Sequence, residues 1–175
     1  VVEKELIPAL DAVGEQYEKQ IIFLPQLMNA AAASGAAFDE VRRVIGQSGA
    51  AGEGKGPIVL ATVEGDIHDI GKNIVRTVLE NYGFRVVDLG RDVPAERVVE
   101  AVRQYGAKIV GLSALMTTTV PSMEKTIARL HENGLHVPVI VGGAVLTPDY
   151  AKKIGADYYA KDAKQSADIA KSILG

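Results

Sequence analysis

The chain has 175 residues, 47% of them hydrophobic and 23% charged, with a formal net charge of −3 and no cysteine. That length suits one ordinary domain with a small appendage, and the balance is that of a soluble globular protein rather than a disordered one. The acidic balance and scattered basic residues argue against nucleic-acid and anionic-membrane partners, the lack of thiols excludes disulfides and thiolate metal sites, and no apolar run nears the roughly 18 residues that suggest a membrane helix.

Leu6, Leu10, Val13 and Tyr17 recur every three or four residues and predict a first helix with one apolar face. A second is expected to start at Leu24-Pro25, where a proline in the first turn sacrifices no needed N–H. Leu27, Met28, Ala31, Phe38, Val41 and Ile45 would line its inner side, with Gly35 a candidate bend. Two helices alone bury little, so residues 1–47 read as a small all-α cap fragment that docks on something else. Residues 48–56 (SGAAGEGKG) form a small-residue linker whose GEGKG lacks the spacing of a phosphate loop. A second domain is expected over 57–175. The chain begins at Val1 rather than Met and reads as a piece of a longer polypeptide.

From Pro57 onward, strands alternate with helices. Strands are predicted at 58–63, 84–89, 108–113, 137–141 and 157–160. Several are nearly unbroken Val, Ile and Leu, as parallel strands covered on both faces require. Helices are predicted near 70–82, 95–105, 120–133, 148–154 and 163–173. Asp92-Val93-Pro94 and Thr147-Pro148 act as starts; Gly83, Gly106, Gly134 and Gly155 act as stops. The expected fold is a five-stranded, doubly wound parallel α/β sheet of flavodoxin-like order. Such sheets bind ligands outside the carboxyl ends of their strands, at the switch point.

Three signals fall at those ends. Asp66, His68 and Gly71 form D-x-H-x-x-G after the first strand; Ser113-x-Leu115 follows after 41 intervening residues (72–112), and Gly142-Gly143 after 26 more (116–141). A lone D-x-H is an ordinary loop feature. Together the three bring an imidazole, a hydroxyl and bare backbone to adjacent strand ends, which suits a metal-bearing organic cofactor with a long tail. A ligating histidine needs its other ring nitrogen held by an acceptor; Asp66 is placed for that, and Ser113 can hydrogen-bond the aspartate. Gly71, Gly142 and Gly143 remove side chains where a tail could run. Thr117, Thr118 and Thr119 offer hydroxyls to that tail or cap the next helix.

These motifs, at these intervals, resemble the cobalamin-binding domain of corrinoid methyltransferases. The stretch Ala61 to Val75 (ATVEGDIHDIGKNIV) is similar to the cobalamin module of methionine synthase, as are Val87-Asp88-Leu89-Gly90, Val93-Pro94-Ala95-Glu96 and Phe23-Leu24-Pro25-Gln26. The resemblance covers essentially the whole chain, and the first 46 residues hold only the last two helices of the family's four-helix cap. It implies a base-off cofactor whose nucleotide tail is buried in the α/β domain, with His68 as cobalt ligand and Asp66 and Ser113 as its relay. Gly71, Leu115, Thr117, Gly142 and Gly143 would line the tail channel; Gly65, Ile67 and Asp69 would approach the corrin, and Ala163 the nucleotide. Tyr17, Leu24 and Leu27 match cap positions that shield the methyl group, and Glu3 a polar cap contact; Tyr17 departs from the family's phenylalanine, and simple core is the second reading of the cap residues.

The resemblance further implies a cytoplasmic module that carries a methyl group between donor and acceptor modules, served by a reductive reactivation partner and inactive alone. Methionine synthase is the first reading of the parent protein. A free-standing corrinoid carrier for methanol, methylamine or aryl-ether methyltransferases is the second, since Ser113 to Thr119 (SALMTTT) looks at least as much like those carriers. Adenosylcobalamin mutases share the three motifs without this cap. A phosphorelay receiver, using Asp66 and Lys161, would need an aspartate where Ser113 stands. A flavin carrier, a light-sensing cobalamin regulator and a metal hydrolase built on Asp66, His68 and Asp69 complete the rivals.

Overall fold

The computed structural model describes residues 5–47 and 55–175. Glu3 and most of the expected linker lie outside the described residues, as do the side chains of Phe38, Val41 and Ile45. The strands are β1 (Lys55–Thr62), β2 (Phe84–Asp88), β3 (Ile109–Ser113), β4 (Val139–Gly142) and β5 (Tyr158–Tyr159). The helices are α1 (Ile7–Glu18), α2 (Leu24–Gln47), α3 (Ile70–Asn81), α4 (Ala95–Tyr105), α5 (Val120–Glu132), α6 (Pro148–Lys153) and α7 (Ala163–Leu174).

The five strands form one all-parallel sheet in the order β2-β1-β3-β4-β5, the flavodoxin-like layout. Alternate strand residues serve opposite layers. Val59, Ala61, Val110, Leu112, Val139 and Val141 pack with α4 and α5, whereas Ile58, Leu60, Ile109 and Ile140 pack with α3 and α7. Both faces are therefore covered, which accounts for the continuous apolar runs. The chain reverses direction across the sheet between β1 and β3, and their carboxyl ends carry Thr62 and Ser113 side by side.

The helical pair rests on the α3–α7 face. Leu10 is buried with Val78, Tyr82 and Ala167. One turn position on, Asp11 accepts from the Tyr82 hydroxyl at 3.0 Å and from Lys171 Nζ at 2.7 Å, tying α1 to both α3's end and α7. Gly14 is a true close approach, since a Cβ there would run into the Lys164 side chain.

Local differences from expectation have local causes. α2 continues through Gly35 without a break, because one glycine costs a long helix only about 1 kcal/mol. β1 starts at Lys55, inside the expected linker, with an irregular register against β2 between Lys55 and Ile58. β5 shrinks to two residues at the sheet edge, Tyr158 and Tyr159 opposite Ile140 and Val141 of β4. Thr147 caps α6 as expected, accepting from Tyr150 N. Asp92 does not cap α4: it adopts φ 52° and its carboxylate accepts from Gly65 N at 2.7 Å.

Candidate functional site

The loop from β1 to α3 carries Asp66 and His68, and it is held from two sides. Toward β2, Gly65 N donates to Asp92 and Asp92 N donates to the Asp66 carbonyl at 2.9 Å. Toward β3, the Asp66 side chain itself is the anchor. It is fully buried, and its Oδ2 accepts from Leu115 N (2.7 Å), Met116 N (3.2 Å) and the Thr119 hydroxyl (2.8 Å). Its Oδ1 accepts from His68 N at 3.0 Å and faces His68 Nδ1 at 2.8 Å.

Burial alone would raise the pKa of this carboxyl. The N–H groups of His68 and Leu115, the Thr119 hydroxyl and the His68 ring outweigh it and hold Asp66 well below the usual carboxylate range. A carboxylate that can only accept fixes the imidazole with its proton on Nδ1. In that tautomer Nε2 carries the lone pair, and the side chain is 45% exposed. An imidazole so held has the orientation that a metal ligand requires.

One part of the expected relay is corrected. The hydroxyl on Asp66 belongs to Thr119, not Ser113; the Met116 carbonyl, 2.9 Å from the same hydroxyl, is its alternative acceptor. Ser113 lines the cavity instead. Thr119 follows two other threonines and stands at the start of α5. Only the turn over 117–119, which curls back to the β1 loop, distinguishes it from Thr117 and Thr118. Thr117 is exposed in that turn and does not line the channel expected of it.

Beside His68 a cavity of about 790 Å³ opens between the sheet and the α3–α7 layer. Of the anticipated residues, Tyr17, Leu24, Leu27, Ile67, Asp69, Gly71, Leu115, Gly142, Gly143 and Ala163 all border it. Gly65 does not; it serves the loop through Asp92. Ile67, Ile70 and Leu115 stand 60%, 77% and 41% exposed, an apolar rim around the imidazole that water solvates poorly. Gly71 has open space where a Cβ would project, whereas a Cβ on Gly143, at φ 143°, would strike the Ala114 carbonyl. These glycines thus differ: Gly71 borders open space, and Gly143 lets two strand ends meet.

Lys72 carries no motif signal of its own in the sequence. It is 3% exposed in the first turn of α3, and its amine meets both oxygens of Asp88 at 2.6 and 2.7 Å. Asp88 also accepts from Gly90 N at the end of β2. A charged pair in the wall so near the mouth ties α3 to the sheet.

The arrangement fits a corrinoid. It presents a free imidazole nitrogen, a hydrophobic rim for a macrocycle and a deep apolar channel for a tail. Among the described residues, no cluster of three or more His, Asp or Glu is placed to hold a metal ion.

Comparison with known proteins agrees. Residues 56–168 match the family described as B12 binding domain, and residues 1–42 match a second family of that description. Dimethylamine corrinoid protein 1 of Methanosarcina acetivorans is 44% identical over 99% of this chain and 82% of its own length. A cobalamin-binding protein of Desulfitobacterium hafniense superposes with TM-score 0.84 at 37% identity, over 95% of this chain and 78% of that one. The methanol:cobalamin methyltransferase complex of Methanosarcina barkeri contains a chain with TM-score 0.84 and 36% identity, over 99% of this chain and 66% of that one. Two of these three relatives are named for dimethylamine and methanol systems and none is named a methionine synthase, so the findings back the second expected parent better than the first. The flavodoxin-like sheet, the paired motifs and these relatives together show that the chain belongs to the B12-binding domain family, a cobalamin-binding module of corrinoid methyltransferase systems.

Proposed function

We propose that this chain is a carrier-type corrinoid protein of a methylamine or methanol methyltransferase system. In this reading it holds cobalamin base-off, with His68 as the lower axial ligand, and carries a methyl group between a donor-side and an acceptor-side methyltransferase. The observation that carries the reading is the Asp66-held His68 ring, with Nε2 open at the lip of an apolar channel. The 44% identity to a dimethylamine corrinoid protein supports the choice of system.

The bound cofactor supplies the cobalt on which a methyl group is taken up and released; the protein supplies orientation, an axial ligand and shielding. Asp66 holds the His68 proton on Nδ1 and so keeps Nε2 basic. The Thr119 hydroxyl, poised between Asp66 and the Met116 carbonyl, lets the carboxylate gain or lose one hydrogen bond as the charge on the imidazole changes. Tyr17, Leu24 and Leu27 approach the cavity from the helical pair and would keep water from its upper side. Glu3, outside the described residues, remains a proposed polar contact from the same side. Donor, acceptor and reductive reactivation partners are proposed as separate proteins.

The test is spectroscopic. Protein reconstituted with cob(II)alamin is examined by electron paramagnetic resonance after growth on ¹⁵N-histidine. The expected result is nitrogen hyperfine splitting that changes with the isotope in wild type and disappears in His68→Ala. A splitting indifferent to the label, or retained in the variant, would remove His68 from the axial position.

A further inference from the structure

His68 stands on a loop bounded by two buried charges. Among the described residues, Asp66 and Lys72 are the only charged side chains that are buried. Between them Ile67, His68, Ile70 and Gly71 are exposed and Asp69 is half-buried, so no buried apolar residue seats the stretch that carries the imidazole. Asp66 fastens one end. Lys72 is the next residue to turn inward.

Lys72 runs against the local rules of a helix start. It lies in the first turn of α3, where the helix dipole opposes a cation, and that turn has neither an acidic residue nor a side-chain cap from Asp69. What the lysine gains is a set of directed bonds. Its amine has three N–H groups and each has an acceptor: Asp88 Oδ1 at 2.6 Å, Asp88 Oδ2 at 2.7 Å and Asn73 Oδ1 at 2.8 Å. So occupied, the ammonium is fixed in direction as well as distance. Asp88 closes β2, and the chain just beyond it reaches the other end of the loop. The Gly90 carbonyl accepts from Thr62 N at 3.0 Å, Asp92 N donates to the Asp66 carbonyl at 2.9 Å, and the Asp92 carboxylate accepts from Gly65 N. Residues 88–92 thus grip the loop both before His68 and after it.

Resting on the cobalamin reading above, we propose that Lys72 is a positioning residue for His68. Its pair with Asp88 fixes the outgoing end of the loop, and with it the reach of Nε2 toward a metal. One anchor at Asp66 leaves the loop a pivot; the second removes it. Metal–nitrogen bonds tolerate only about 0.2 Å of misplacement. An apolar contact in place of the pair would still hold α3 against the sheet, but it is non-directional and lets the helix start slide.

The experiment is electron paramagnetic resonance of protein grown on ¹⁵N-histidine and loaded with cob(II)alamin, after unbound cofactor is removed. It reads the ratio of cobalt carrying the labelled nitrogen to cobalt without it. Four proteins are compared: wild type, Lys72→Met, Asp88→Asn, and Lys72→Met combined with Asp88→Leu. Urea unfolding of the cofactor-free proteins gives their stabilities. The ratio is expected to fall at least tenfold in Lys72→Met and by less in Asp88→Asn, which keeps one acceptor oxygen. In the double variant it stays low although stability returns toward wild type. Ratio and stability recovering together there overturns the proposal, because the pair would then serve the fold alone. A wild-type ratio in either single variant overturns it too, with the histidine-ligand reading left intact. Wild-type protein without labelled-nitrogen splitting sinks that reading itself, and the proposal falls with it.

Discussion

Replacing Asp66 with asparagine alters almost nothing in shape but reverses polarity at one of two carboxylate oxygens. Oδ1 faces the His68 backbone N–H and Nδ1; Oδ2 faces the N–H groups of Leu115 and Met116 and the Thr119 hydroxyl. Whichever way the amide turns, its NH₂ meets at least two donors where bonds stood. Hydrogen bonds to charged groups contribute about 1.5–3 kcal/mol each, and an unsatisfied buried donor costs about 1–3 kcal/mol. The Thr119 hydroxyl can rotate and His68 can change tautomer, which recovers part of the loss. Asp66→Asn is therefore expected to cost roughly 3–5 kcal/mol, the upper range for one substitution. Urea unfolding of the cofactor-free protein at neutral pH measures it, provided the denaturant slope is unchanged. The pH dependence has a definite sign. Because the folded pKa lies below the ordinary 3.8, the stabilisation is complete above that value and lost as pH falls through the lower folded one. The variant has no such group, so the gap between the two proteins should narrow only in strong acid. A loss under about 1 kcal/mol at neutral pH would refute Asp66 as the anchor of the loop.

Two further substitutions probe the frame around the site. Lys72→Met leaves the Asp88 carboxylate facing only Gly90 N and the Arg76 guanidinium at 3.6 Å. Removing one partner of a buried pair costs about 3–5 kcal/mol; the remaining contacts and the 14% exposure of Asp88 lower the expectation to about 2–3 kcal/mol. Lys72→Met combined with Asp88→Leu should recover most of it, and a double variant no better than the single one would argue against an ion-pair origin. Asp11→Asn weakens the tie from α1 to Lys171 and Tyr82, with little change in global stability because Asp11 is 42% exposed. Faster amide exchange confined to α1 is expected, and unchanged protection there would show that packing rather than Asp11 holds the helix.

The element order and the placement of the motifs were legible in the chain itself. Unbroken apolar runs between helical periodicities require a parallel sheet covered on both sides. D-x-H-x-x-G, S-x-L and G-G then fall at strand ends by counting alone. The pairing of Asp66 with His68 was equally readable, because two residues on one short loop can reach each other in few ways. Tertiary structure decided what depended on loops meeting across the sheet. It put Thr119 rather than Ser113 on the carboxylate, since the 117–119 turn folds back toward β1 and sequence distance says nothing of that. It turned Asp92 from a helix cap into the brace of Gly65, and it hid Lys72 on the face of α3 that meets Asp88. Local patterns report which side of an element is apolar. Which polar atoms meet between elements follows from packing, where a hydrogen bond tolerates only a few tenths of an ångström.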